Sequence, residues 1–94
     1  MFVLAYDVQL RIEASQSLKD KRQVVKPILE GARRRYGVSA SEVDFQDQWQ
    51  RAQLGFAVVA SSQSQATEII DKVDRFVWSH PEIDVLATDR RWLE

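Results

Sequence analysis

From Phe2 to Ile12 the chain alternates with period two. Phe2, Leu4, Tyr6, Val8, Leu10 and Ile12 fall on one side, and Val3, Ala5, Asp7, Gln9 and Arg11 on the other. Such strict alternation predicts a strand with one buried face. The second set begins apolar and ends polar, as the more exposed face of an antiparallel sheet does. Residues 13–17 break the pattern. Ser17 then reads as a helix N-cap, with Asp20 three residues on to complement the free amides of the first turn. At 100° per residue, Leu18, Val25, Ile28, Leu29, Ala32 and Tyr36 share an arc of about 100°. The stripe stays in phase across Pro27, so a helix to Tyr36 is expected, kinked at the proline and stopped by Gly37.

The second half repeats this grammar. Residues 38–47 (VSASEVDFQD) predict a weaker strand with Val43 and Phe45 on one face, and its irregularity suggests an edge position or a bulge. Gln48 to Gln50 form a turn. Residues 51–61 predict a strong strand with Leu54, Phe56 and Val58 inward. Ser62 and Ser64 can cap a second helix running to about Ser79, with Ala66, Ile69, Ile70, Val73, Phe76 and Val77 as its buried stripe and Trp78 on its polar side. After the break at Pro81, residues 83–93 read as a last strand whose inward face is ambiguous. The order β-α-β-β-α-β predicts an α+β fold: a ferredoxin-like sandwich with a four-stranded antiparallel sheet and two helices on one face, forming a single domain over residues 1–94.

Composition removes whole classes of chemistry. There is no cysteine and His80 is the sole histidine, which excludes disulfides, thiolate metal sites and thiol catalysis. His80 has no Ser or Asp at a recognisable motif spacing and is expected to be a surface residue. Glu42, Asp44 and Asp47 are the one acidic cluster that could offer oxygen ligands to a metal, but Asp47 breaks their shared parity along the strand. The three glycines are scattered, so no phosphate-binding loop is present. Acylphosphatases share this topology but depend on a glycine-rich, Arg-bearing loop after the first strand, and EASQS at 13–17 offers nothing similar. No catalytic residues, metal or cofactor are expected. The start of the chain has no basic leader or cleavage site, and no apolar run approaches the roughly 20 residues of a membrane helix. A cytoplasmic protein is expected.

Charge is informative through its distribution. The net charge is −1, yet Leu18 to Tyr36 carries seven basic and two acidic residues, or +5, leaving −6 on the remainder. Lys19, Arg22, Lys26 and Arg33 project within about 60° of each other on the helix, with Glu30 among them and Arg34 to one side. Lys19 and Lys21 stand at the positive end of the helix dipole, where cations gain nothing locally. A row of cations of this kind can track a phosphate backbone, although a solvated helix face also needs polar residues. Lys19, Lys21, Arg22, Lys26, Arg33 and Arg34 are therefore candidate nucleic-acid contacts. Trp49 and Arg51 form a second candidate, as an aromatic beside an arginine at a turn. The competing expectation there is that Trp49 folds over the core edge while Arg51 pairs with Asp47. The open sheet face would present Ala5, Asp7, Gln53, Gly55 and Ala57. Without aromatics it does not suit the base stacking of RNA-recognition domains, and it suits packing against another sheet.

Two segments carry a family resemblance: SLKDKRQVVKPIL at 17–29 and EVDFQDQWQRAQLGFAVV at 42–59. Ser17, Leu18, Lys19, Lys21 and Arg22 match the first motif, and Asp47, Trp49, Gln50, Arg51, Ala52 and Gly55 the second. The chain resembles the YlxP-like family of small bacterial proteins over nearly its whole length. Pro27 departs from the family, where a small polar residue is more usual. The resemblance implies a ferredoxin-like fold, a gene setting beside translation and ribosome maturation, and no established activity. Taken together, a non-enzymatic module that binds RNA or the ribosome is expected. The alternative is a protein-interaction module acting as a homodimer through its sheet face or edge.

Overall fold

The computed structural model describes all residues, Met1 to Glu94. Four strands, β1 (Phe2–Arg11), β2 (Ser39–Asp44), β3 (Arg51–Ala60) and β4 (Asp84–Trp92), alternate with two helices, α1 (Leu18–Tyr36) and α2 (Gln63–Trp78). The sheet order is β2-β3-β1-β4 and every neighbouring pair is antiparallel. The expected β-α-β-β-α-β sandwich is therefore the observed one.

Each element follows from its local chemistry. In β1, Leu4, Tyr6, Val8 and Leu10 are buried, while Val3, Ala5, Asp7 and Gln9 between them are half-buried. They meet Ala52, Leu54, Phe56 and Val58 of β3 in an uninterrupted register, Leu4 opposite Val58 and Leu10 opposite Ala52. The Tyr6 and Phe56 rings stack at 5.8 Å between centroids. Ser17 caps α1 by accepting from the Asp20 N–H at 3.0 Å, and Asp20 returns the favour by accepting from the Gln16 N–H at 3.0 Å. Gly37 ends α1 at φ 67°, the left-handed conformation open to glycine at least cost. Ser62 caps α2 in the same way by accepting from the Gln65 N–H.

Val25, Ile28 and Ala32 of α1 and Ala66, Ile70, Val73 and Val77 of α2 close the core over the helix-facing side of the sheet. Pro27 lies within α1 on its exposed side, opposite this stripe. The last strand resolves as a bulged edge. Its register slips between Gln9 and Leu10, so Val85 faces the core with Ile83 beside it while Leu86 is turned out. The other edge, β2, also slips, between Glu42 and Asp44. Val43 is consequently exposed over Gly55 instead of sharing an inward face with Phe45. Phe45 lies beyond the strand at φ 62°, an unusual conformation for a bulky residue.

Candidate functional site

α1 and β2 lie side by side and run in opposite directions. At one end Arg33 donates to the carbonyl of Ala40; at the other Lys21 reaches the carbonyls of Phe45 and Gln46. Arg22, Lys26 and Arg33 look into the groove between them, a hollow of about 240 Å3 floored by Val25 and Leu29 and closed by Glu42. Lys19, Arg22 and Lys26 also surround a shallower depression with Gln23, Pro27 and Glu30. Four of the seven cations of α1 (Lys19, Arg22, Lys26 and Arg33) thus form one exposed ridge. At 1.5 Å per residue it extends about 21 Å from Lys19 to Arg33. The one acid within it, Glu30, stands 3.9 Å from Lys26 with both side chains well exposed, a pairing that contributes little and is readily exchanged. Arg34 is exposed but projects about 100° away from Arg33, off the ridge.

Lys21 corrects the sequence expectation. It is 2% exposed and does not belong to the charged surface. Its ammonium lies 2.8 Å from Glu42 Oε2 and donates to the carbonyl oxygens of Phe45 at 2.8 Å, Arg51 at 3.2 Å and, weakly, Gln46 at 3.4 Å. The approach to Glu42 is at ion-pair distance without hydrogen-bond geometry, so it is an electrostatic contact and not an aligned hydrogen bond. A buried lysine is tolerated only when its charge is paired and its protons are placed, and all of this is met here by one strand end and one turn. A signal in the sequence pointed this way. In helical projection Lys21 falls between Ile28 and Ala32, within the apolar arc.

The turn that Lys21 holds is braced from a second side. The Gln50 side chain donates to the carbonyls of Glu13 and Ser15, both at 3.1 Å, and the Gln50 carbonyl accepts from the Ile12 N–H at 2.8 Å. Arg51 does not pair with Asp47. It donates to Gln9 Oε1 at 3.1 Å, and its guanidinium lies 4.5 Å from the Phe45 ring centroid. Its planar head is therefore engaged within the protein. Trp49 does not fold over the core edge. It is 55% exposed at the tip of the turn, in an open recess shared with Arg11, Asp47, Gln48, Gln50 and Arg51.

The remaining candidate groups have structural partners. Glu42 faces Lys21, and Asp44 accepts from the Phe45 N–H at 2.7 Å. His80 packs edge-on against Phe76 at 4.8 Å, with Nδ1 2.8 Å from the Phe76 carbonyl. The open sheet face presents Ala5 opposite Ala57, Asp7 opposite Gly55, and Asp7 also opposite Asp89 of β4. One polar cluster had no sequence signal. The Tyr6 hydroxyl donates to Asp74 Oδ1 at 2.5 Å, the Trp78 indole N–H donates to the same oxygen at 3.1 Å, and Arg90 bonds Asp71 at 2.7 Å. Burial first, then the hydrogen bond to Asp74 and its charge, raise the Tyr6 pKa far above the ordinary tyrosine value. No helix is long and apolar enough to cross a membrane.

The fold and the paired motifs define a small ferredoxin-like protein in which a buried lysine joins α1 to the β2–β3 turn. A computationally designed ferredoxin-fold protein, solved in solution by NMR, superposes with a TM-score of 0.56 over 100% of this chain and 87% of its own, at 13% identity, a likeness of fold alone. The chain belongs to the family described as "Protein of unknown function (DUF503)", whose model matches residues 3–90. It is 42% identical over 76 residues to a Bacillus subtilis relative called "Uncharacterized protein YlxP", covering 81% of this chain and 83% of that one. The resemblance carried by the two motifs is thereby confirmed.

Proposed function

We propose that this protein is a non-enzymatic RNA-binding module that holds a phosphate backbone along α1. The reading is carried by the ridge of Lys19, Arg22, Lys26 and Arg33, exposed on one side of the helix within a chain whose net charge is −1. Segregating positive charge onto one helix of a weakly acidic protein produces a local field that attracts a polyanion. Arg33 contributes from a fixed position because the Ala40 carbonyl holds it; Lys26 has only its loose, exposed pairing with Glu30 to exchange.

Four phosphate contacts to a single strand give a salt slope near −3, so raising salt from 50 to 200 mM weakens binding by roughly 50-fold. The test is a filter-binding or gel-shift titration of a ribosomal RNA fragment at both salt concentrations. Wild type is set against a Lys19→Glu/Arg22→Glu/Lys26→Glu variant. Binding that ignores salt, or that survives the triple reversal, refutes the proposal.

A second reading has its own support. The open face pairs Ala5 with Ala57 and Asp7 with Gly55, leaving small side chains on which another sheet can approach closely. Sedimentation equilibrium at tens of micromolar separates the two: a monomer removes this reading, and a dimer abolished by Ala57→Arg sustains it.

A further inference from the structure

We infer that the ligand is single-stranded RNA, and that one unpaired base stacks on the Trp49 indole while the neighbouring phosphates lie on the α1 ridge. This inference rests on the proposed RNA reading. It assigns to the turn between β2 and β3 a contribution that the ridge cannot make, since cations alone do not distinguish a single strand from a duplex.

Three observations converge. The first is exposure. Trp49 presents a large flat apolar surface to solvent at 55%, on a turn whose Asp47, Gln48 and Gln50 are also exposed. The second is rigidity. The turn is tied to α1 by Lys21 through three carbonyls, to the β1–α1 connection by Gln50 through two, and to β1 by the Ile12–Gln50 bond. Phe45 is held at φ 62° beneath the Arg51 guanidinium. An exposed aromatic on a braced support loses little freedom on binding, which is what a stacking platform requires. The third is continuity. The ridge follows the flank of β2 from Arg33 to Arg22, and the chain of β2 leads directly into the turn. The Trp49 recess and the ridge share no lining residue. The link between them is Lys21, next to Arg22 in the helix, whose ammonium bonds the Phe45 and Gln46 carbonyls of the same turn. A strand leaving the ridge at Arg22 crosses that turn to reach Trp49. There Gln48 is exposed to meet a base edge, and Arg11 lies in the same recess. Bases in a duplex are already stacked on each other and cannot present a free face.

The test uses the whole protein with Trp78→Phe and Trp92→Phe, so that Trp49 is the sole indole. A twelve-nucleotide single-stranded RNA, its blunt duplex and poly-glutamate of equal charge are titrated at fixed salt while emission is followed. The expected result is quenching and a bound-state shift with the single strand, and none with the duplex or poly-glutamate. In the otherwise unaltered protein, Trp49→Ala weakens single-strand binding by roughly 5- to 150-fold, Trp49→Phe retains most of it, and duplex affinity does not move. Circular dichroism checks that both variants keep the fold. The inference is overturned, with the RNA reading intact, if RNA binds in a charge-dependent manner yet Trp49→Ala binds single strand as wild type does. Equal quenching by duplex or by poly-glutamate also overturns it, by showing that the turn responds to charge or to a peptide. If the wild-type protein binds no RNA at all, single-stranded or duplex, the ridge itself has failed, a result distinct from RNA binding that is indifferent to Trp49→Ala.

Discussion

Replacing Lys21 by methionine keeps most of the volume of its stem and removes only the charge and its protons. Glu42 then faces the core without its cation, and the Phe45 and Arg51 carbonyls lose their donor. Breaking one side of a buried ion pair typically costs about 3–5 kcal/mol. Here Glu42 is 22% exposed and the contact is not aligned, so water recovers part of the loss. The expected cost is about 2–3 kcal/mol, which in a domain of this size lowers the melting temperature by roughly 10–20 °C. Urea denaturation followed by far-UV circular dichroism measures it. The second half of the experiment is the cycle with Glu42→Gln. That change removes the stranded charge, so the double variant should recover about 1–2 kcal/mol relative to the sum of the single ones. A cost for Lys21→Met below about 0.5 kcal/mol, in the range of an ordinary surface substitution, refutes the account of the buried lysine as the brace of the turn. Strict additivity of the two changes refutes the ion-pair part of it.

Other outcomes follow from the same geometry. A raised Tyr6 pKa means that the folded state holds the phenol proton more tightly than the unfolded state does. Its contribution to stability is therefore complete below the unfolded value of about 10 and is lost as pH climbs beyond it. In a Tyr36→Phe variant, tyrosinate absorbance should stay silent through that pH and emerge only together with unfolding. Gly31→Ala places a Cβ 2.6 Å from Phe76 Cζ, in a ring already packed by Tyr36, His80 and Arg35. It should destabilise by about 1–3 kcal/mol in a thermal melt, against the usual gain for glycine to alanine in a helix. Gly37→Ala meets no atoms but must adopt φ 67°, and should cost about 1 kcal/mol by the same assay. Pro27→Ser restores a helix N–H on an exposed position and should raise the denaturation midpoint by about 1–2 kcal/mol in stability.

The sheet was legible because period two and the 100° stripe were clean in β1, β3, α1 and α2, where burial on one side leaves few alternatives. What escaped was set by contacts distant in the chain. Val43 looks inward by parity, but the slip after Glu42 turns it out, and no local rule marks which residue a bulge will take. The Tyr6–Asp74 bond spans 68 positions and depends on α2 crossing β1. For the site, the exposed ridge was readable from helical projection, since solvent-facing phase needs no tertiary knowledge. Lys21 was misassigned by weighting its charge above its phase. The spacing that placed it beside Val25 and Ile28 was the better guide, because a helix position faces the core whatever residue fills it. Arg51 and Trp49 were distinguishable only in three dimensions, one absorbed by Gln9 and Phe45, the other left standing.

The guanidinium that Arg33 lays on Ala40 also bears on how the molecule can grow. β2 is short, interrupted, and has a carbonyl claimed by its own helix, so it is a poor template for an incoming strand. β4 is nine residues long and borders no further strand, and beyond its bulge at Leu86 six residues, Ala87 to Trp92, keep an unbroken register with β1. Lateral extension of the sheet, by a second copy or by an extended peptide, is thereby directed to one flank, and the flank carrying the cations stays clear for a different kind of visitor.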